Sequence, residues 1–240
     1  MPPNYPHFTC KNYIPAQNNH SLIVPGQDNA VSEIVSFLLI LAVLAAGIGI
    51  YAAVVQPELT KAEERTHLQH TAEEFCSLKS DIDLLWVLGN PGKSGGKLLP
   101  LTSADARHAG TLAFGKGTQI RFNHTAGQKT ASLLYITYSP PTRYALTYEG
   151  GAVFSDTEVL LPAVTGNKNA VLICTEGIDD AILANTPVAV TYEYRKKETF
   201  RGVENLQIAG TYHTEYWKQT LVDVESLTLV YCTISAEAVV

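Results

Sequence analysis

Between Ile34 and Val55 the chain reads IVSFLLILAVLAAGIGIYAAVV, with no charge and no proline, and only Ser36 and Tyr51 bring polar side-chain atoms. At ~1.5 Å per helical residue this run reaches roughly 33 Å, enough to cross a hydrocarbon core of about 30 Å. No second segment of this kind occurs in the sequence. Gln56-Pro57 follows, and a break or kink is expected there, because proline removes a backbone donor and crowds the preceding turn. Beyond the proline the pattern changes. Leu68, Thr71, Phe75, Leu78, Ile82 and Leu85 recur in steps of three and four as one stripe. Lys61, Glu64, Arg65, Glu73, Glu74, Lys79, Asp81 and Asp83 fill much of the rest, and Gly89-Asn90-Pro91-Gly92 stops the helix. Apolar and striped halves together make about 55 residues of nearly continuous helix, well beyond the usual globular length.

From residue 97 onward short apolar runs recur at intervals of about ten residues, with turn signals between them. Strands are expected at 97–101, 110–114, 118–123, 132–138, 143–148, 152–155, 158–161, 170–174, 187–194 and 226–234. Glu149-Gly150-Gly151 reads as a tight hairpin turn, and the alternation in Ala189 to Tyr194 puts one sheet face in water. Residues 211–222 (TYHTEYWKQTLV) read as a short helix, with Tyr212, Tyr216, Trp217 and Leu221 available for packing. The expected class is α+β: a long N-terminal helix, transmembrane and then amphipathic, before an antiparallel β-sandwich-like or curled-sheet head with one late helix. The corresponding division is a leader at 1–26, a transmembrane helix at 27–55, an amphipathic helix at 56–89 and a head at 90–240.

Composition narrows the partners. Lys plus Arg number 17 against 23 Asp plus Glu, and the only basic run is Arg195-Lys196-Lys197, so nucleic acid is not an expected partner. Residues 1–26 have no apolar core of their own and one positive side chain, Lys11, unlike a secretory signal; they read as a leader ahead of the apolar helix. Lys61 and Arg65 are matched by Glu58, Glu63 and Glu64, so charge asymmetry leaves the orientation of the span open. Of the four cysteines, Cys10, Cys76, Cys174 and Cys232, none has the spacing of a zinc site. Cys174 and Cys232 fall in strand-like runs, where a bridge between neighbouring strands and two buried free thiols are both open.

Chemistry-bearing motifs are few. WVLGNPGKSGG departs from a phosphate-binding loop, since Val87 stands where glycine is needed and Gly95-Gly96 follow Lys93-Ser94 instead of a helix. Glu64, His67, His70 and Glu73 share overlapping helical faces, but one such helix falls short of a carboxylate-bridged metal site. His108, His124 and His213 stand alone in the sequence, and no catalytic constellation, cofactor or metal site is expected. Asn123-His124-Thr125 is an N-glycosylation sequon; Asn19-His20-Ser21 is another, within the leader. Ala45, Gly49 and Ala53 recur every fourth residue, widened by Ala42, Ala46 and Gly47. Small residues at this spacing let membrane helices approach closely, though Ala and Gly are frequent in membrane helices generally. Glu33 sits at the lip of the span, where a carboxylate stays among headgroups or meets a cation.

Ala30-Val31-Ser32-Glu33 running straight into a long apolar helix resembles the N-terminus of archaeal type IV pilins and related pilin-like proteins, over residues 26 to 88. The resemblance implies that a prepilin-type peptidase cuts between Gly26 and Gln27 and leaves the hydrophobic helix on the mature chain. Two features depart from the pattern: Pro25 holds the place of the usual basic residue, and Glu33 would be the seventh mature residue, where bacterial pilins place glutamate fifth. By the same resemblance the protein is a non-enzymatic structural subunit of a type IV pilus-like surface filament or pilin-like complex. It would assemble with itself or other pilins through a helix bearing Glu33, Ala45, Gly49 and Ala53. It would sit in the cell membrane with its head outside the cytoplasm, used for adhesion or surface contact. Two alternatives stay open: a single-pass anchored extracellular binding protein with no filament, and a membrane-anchored hydrolase whose groups meet only in space.

Overall fold

A computed structural model describes residues 28–101, 110–140, 144–156, 158–177, 179–184, 186–210 and 213–239, with side chains from Ile34 onward except at positions 57, 60, 183 and 184. The chain divides after Glu58 into two compact units.

The first unit is helical. Helix α1 (Asp28–Ile50) passes into a π-helical segment (Tyr51–Val55) and then into the start of α2 (Gln56–Leu88). Pro57 is absorbed without ending the helix, contrary to the simplest expectation of a break. Proline has no N–H to give the carbonyl four residues back, and just before it the ladder shifts, the Gln56 N–H reaching the Tyr51 carbonyl. Every side chain from Ile34 to Gln56 is exposed, Phe37 and Ile48 by about two-thirds.

The second unit is the head. After α2 come β1 (Ser94–Leu99), β2 (Gly110–His124), β3 (Gly127–Ser139), β4 (Leu146–Glu149), β5 (Ala152–Ser155), β6 (Glu158–Leu161), β7 (Thr165–Gly166), β8 (Asn169–Cys174), β9 (Asp180–Ala184), β10 (Val188–Arg201) and β11 (Glu204–Ala209). A short helix, α3 (Thr214–Thr220), and the long β12 (Ser226–Ala238) complete it. Among the described residues these strands form one large curled sheet in the order β1-β10-β12-β8-β3-β4-β5-β6, with β2 on β3, β9 and β11 both on β2, and β7 on β8. All pairs are antiparallel except β8 with β12. The two halves of the sheet meet at a single pairing, Leu133 with Cys174.

Alternation along the strands divides the interior in two. On β12, Leu227, Leu229 and Tyr231 enter one core while Val230 and Cys232 enter the other. The Val230 side is roofed by the α2 stripe, with Phe75, Leu78 and Ile82 fully buried and Thr71 beside them. The Leu227 side is closed by Trp217 of α3 and by Leu221, which caps its C-terminal end. Fully burying each of these large apolar side chains stabilises the fold by about 1.5–3 kcal/mol before entropy is counted. On β2, Leu112 and Phe114 face the α2 side, yet Ile120 and Phe122, of the same parity, face the α3 side. A register shift between Lys116 and Gln119 makes the difference, since one extra residue turns every later side chain to the opposite face.

Several expected elements change extent. The runs at 110–114 and 118–123 are one strand carried through that bulge, the strand expected at 187–194 continues to Arg201, and β7, β9 and β11 are additional. Ser94 opens β1 one residue after the turn at Pro91-Gly92, so a strand follows Lys93 where a phosphate-binding loop would need a helix. The late helix covers Thr214–Thr220; Tyr212 lies outside the described residues. Cys174 and Cys232 sit on adjacent strands but point into different cores, and both thiols are free.

Candidate functional site

Two features stand apart from the ordinary apolar packing. The first is the apolar helix: Ile34–Val55 is long and apolar enough to cross a membrane, and none of it is buried. The described protein is thus an α+β chain with one N-terminal apolar helix and a β-rich head. Ala45 and Gly49 lie on one exposed face, and a Cβ added at Gly47 or Gly49 would meet nothing within 4 Å. Ala53 falls in the π segment, where each turn takes more residues, so it is offset from the every-fourth-residue line. Gly26 and Gln27 lie outside the described residues; Glu33 belongs to α1, with its side chain likewise outside them.

The second feature was not visible in the sequence: a buried carboxylate at the junction of hairpin, bulge and late helix. Glu149 ends β4 and is fully buried. Its Oε1 accepts the Thr118 backbone N–H of the β2 bulge at 2.7 Å, and its Oε2 accepts Trp217 Nε1–H at 3.1 Å. His213 Nδ1 lies 3.2 Å from the same Oε2, and His213 Nε2 lies 2.8 Å from the Asp156 carbonyl. Both ring nitrogens therefore face acceptor oxygens. Phe154 of β5 stacks on the His213 ring at 3.7 Å between centroids. Burial alone would push the Glu149 carboxyl up, but the hydrogen bonds from His213, Thr118 and Trp217 outweigh it and hold the group below its ordinary value.

Local backbone makes this convergence possible. Gly150 and Gly151 adopt φ of +60° and +100°, which turns the chain immediately after the carboxylate. A Cβ at Gly150 would lie 2.7 Å from Leu133 Cδ1 and 2.9 Å from Trp217 Cζ2, so the indole fills the space that glycine leaves. The bulge is held from both sides, because Asp179 Oδ1 accepts the Lys116 N–H at 2.7 Å. Chemically, the Glu149–His213 pair has the acid–imidazole half of a hydrolytic relay. Its outer nitrogen ends on a backbone carbonyl, where no hydroxyl can be activated. The cluster is a clasp that ties α3 to the hairpin and the bulge.

Other candidates resolve into scaffold. Among the described residues no group of three His, Cys, Asp or Glu side chains is placed to hold a metal ion. His67 packs edge-on against Tyr138, and Gln69 donates to Glu73. On the inner side of α2, Lys79 pairs with Asp83, which also accepts from Trp86 Nε1 at 3.3 Å. Lys97 of β1 reaches Ser77 Oγ at 2.6 Å and Glu74 at 3.0 Å, clamping the edge strand to the helix. Asn123 lies at the end of β2, half-buried, with Thr125 exposed in the turn.

Nothing in the sequence flagged Glu149 and His213 as partners, since 64 positions separate them. The one available hint was a carboxylate inside an otherwise apolar hairpin, YEGGAVF. Compared with known proteins, the chain matches no family model, no curated protein and no solved structure.

Proposed function

We propose that this is a pilin-like, single-pass membrane protein that assembles with copies of itself or with related subunits through its N-terminal helix and presents the β-rich head outside the cytoplasm. The observation that carries the reading is the full exposure of Ile34–Val55 beside a head whose two cores are built from residue 71 onward. An apolar helix of a soluble protein is buried in its own fold, whereas this one leaves all its apolar surface for lipid and for other helices. Lipid offers no hydrophobic drive for helix association, so contact depends on close packing, for which the face around Ala45 and Gly49 is suited. The activity is assembly, and the head supplies the outer surface for adhesion or contact.

The test uses protein from native membranes. Intact-mass analysis of the mature N-terminus is expected to give Gln27 as the first residue, and cross-linking in the membrane is expected to give a ladder of oligomers that Gly49→Leu reduces. Retention of Met1 together with an unchanged ladder in Gly49→Leu would overturn the proposal and leave a tethered binding module.

A further inference from the structure

We infer that Asn123 is an N-glycosylation site, seated on a polar platform built by three strands; the inference rests on the extracytoplasmic placement of the head. The tripeptide Asn123-His124-Thr125 occurs often by chance, so its surroundings decide. Asn123 stands at the last turn of β2, where the hairpin to β3 begins. It pairs with Gln128 of β3 on one side and with Glu204 of β11 on the other. Two residues earlier on the same face, Arg121 pairs with Thr130 of β3 and Gln207 of β11. Directly paired residues of antiparallel strands project to the same face, so Asn123 is ringed by Arg121, Gln128, Thr130, Glu204 and Gln207. All five neighbours are exposed. The intervening residues, Ile120 and Phe122, are fully buried on the other face. Among these five paired neighbours none is apolar. Hydroxyl-rich sugar would lie on donors and acceptors of both kinds without desolvating a buried group.

The hairpin end is also held in a form that offers the amide. His124 folds inward onto Phe200, with ring centroids 4.7 Å apart, and its Nδ1 accepts the Ala126 N–H. Gln128 Nε2 donates to Asn123 Oδ1 at 3.4 Å, which leaves Nδ2 directed away from that bond. Modification would join Asn123 Nδ2 to the anomeric carbon of a lipid-phosphate- or lipid-pyrophosphate-linked oligosaccharide. The C–N bond forms, the anomeric C–O bond breaks, the lipid phosphate departs and Nδ2 gives up one proton. The transferase that binds the exposed Thr125 hydroxyl supplies the base.

Protein isolated from its own cells is cleaved with trypsin, which releases Phe122 to Lys129 (FNHTAGQK) as one peptide. That peptide is expected to carry an oligosaccharide mass, lost in Asn123→Gln and in Thr125→Ala and kept in Thr125→Ser. In parallel, intact cells are treated with a membrane-impermeant amine reagent that modifies head lysines such as Lys168 and Lys218. An unmodified Asn123 peptide from a head that takes the label overturns the inference alone. An unmodified peptide from an unlabelled head overturns it together with the extracytoplasmic reading.

Discussion

Replacing Glu149 by alanine removes one carboxylate from three donors at once: Thr118 N–H at 2.7 Å, Trp217 Nε1–H at 3.1 Å and the His213 ring at 3.2 Å. Glu149 and Trp217 are fully buried and His213 is 8% exposed, so water cannot take the vacated place without opening α3. A buried donor left unsatisfied costs about 1–3 kcal/mol. Two such donors, the Thr118 N–H and the Trp217 Nε1–H, lose their acceptor together, so about 4 kcal/mol is the expected destabilisation of the head. In a unit of this size each kcal/mol lowers the thermal midpoint by about 2–4 °C, which gives a fall of about 8–16 °C.

Trp217 fluorescence and near-UV circular dichroism of the detergent-solubilised full chain, followed through heat and urea, provide the assay. His213→Ala and the double substitution complete a cycle, in which the coupling between the two positions is expected to be about 1–3 kcal/mol. A loss below about 1 kcal/mol in Glu149→Ala, or losses that add within about 0.5 kcal/mol, would refute the clasp. Acid provides an independent check. Because the folded head holds the Glu149 carboxyl below its ordinary value of 4.5, the folded state binds fewer protons than the unfolded chain as pH falls through that region. The contribution is complete above about pH 4.5 and is lost below it, towards the depressed folded value. Wild type is therefore expected to lose stability on acidification more steeply than Glu149→Gln.

Three further outcomes follow from the packing. Phe75→Ala, at the centre of the α2 stripe and fully buried, is expected to cost about 3–5 kcal/mol in urea unfolding; a cost under about 1 kcal/mol would mean that α2 does not roof the sheet. Gly150→Ala is expected to destabilise by about 1–3 kcal/mol, because its φ of +60° and the Leu133 and Trp217 atoms within 3 Å leave no room for a methyl group; a neutral variant would contradict that geometry. Burial raises the pKa of both the Cys174 and Cys232 thiols, so neither is expected to react with a disulfide reagent before unfolding, whereas half-buried Cys76 reacts sooner. A Cys174–Cys232 bridge found by non-reducing peptide mapping would contradict their placement in separate cores.

The elements legible in the sequence are those whose signals are local. Phe75, Leu78 and Ile82 fall in one core because helical spacing alone puts them on one face. β5 and β6 start and stop at 152–155 and 158–161 as expected, since turn residues flank both. Gly115-Lys116-Gly117 reads as a turn, but Asp179, just before β9, and Glu149 of β4 hold it as a bulge, and that support comes from residues far along the chain. β9 and β11 escape recognition for the same reason, because each is short and pairs only with β2. The clasp depends on α3 docking under Gly150, and a residue-by-residue reading therefore leaves His213 isolated.

The division of labour between the helices bears on what the apolar one is for. α2 spends its apolar stripe inside the head, while the residues of α1 and the π segment keep theirs exposed. For a simple anchor, only total apolar area counts, and leucine serves better than glycine at each position. For a surface meant to receive another helix, an open glycine permits a close backbone approach that leucine would block. Gly49 has nothing within 4 Å of a would-be Cβ, so leucine fits there without disturbing the chain itself. The two roles thus differ in what one substitution does to association. Gly49→Leu leaves membrane retention equal or stronger under both, and lowers association only if the helix is a building surface. Carbonate extraction and membrane cross-linking on the same cells read the two quantities separately, and unchanged cross-linking with retained anchoring would reduce the helix to a tether.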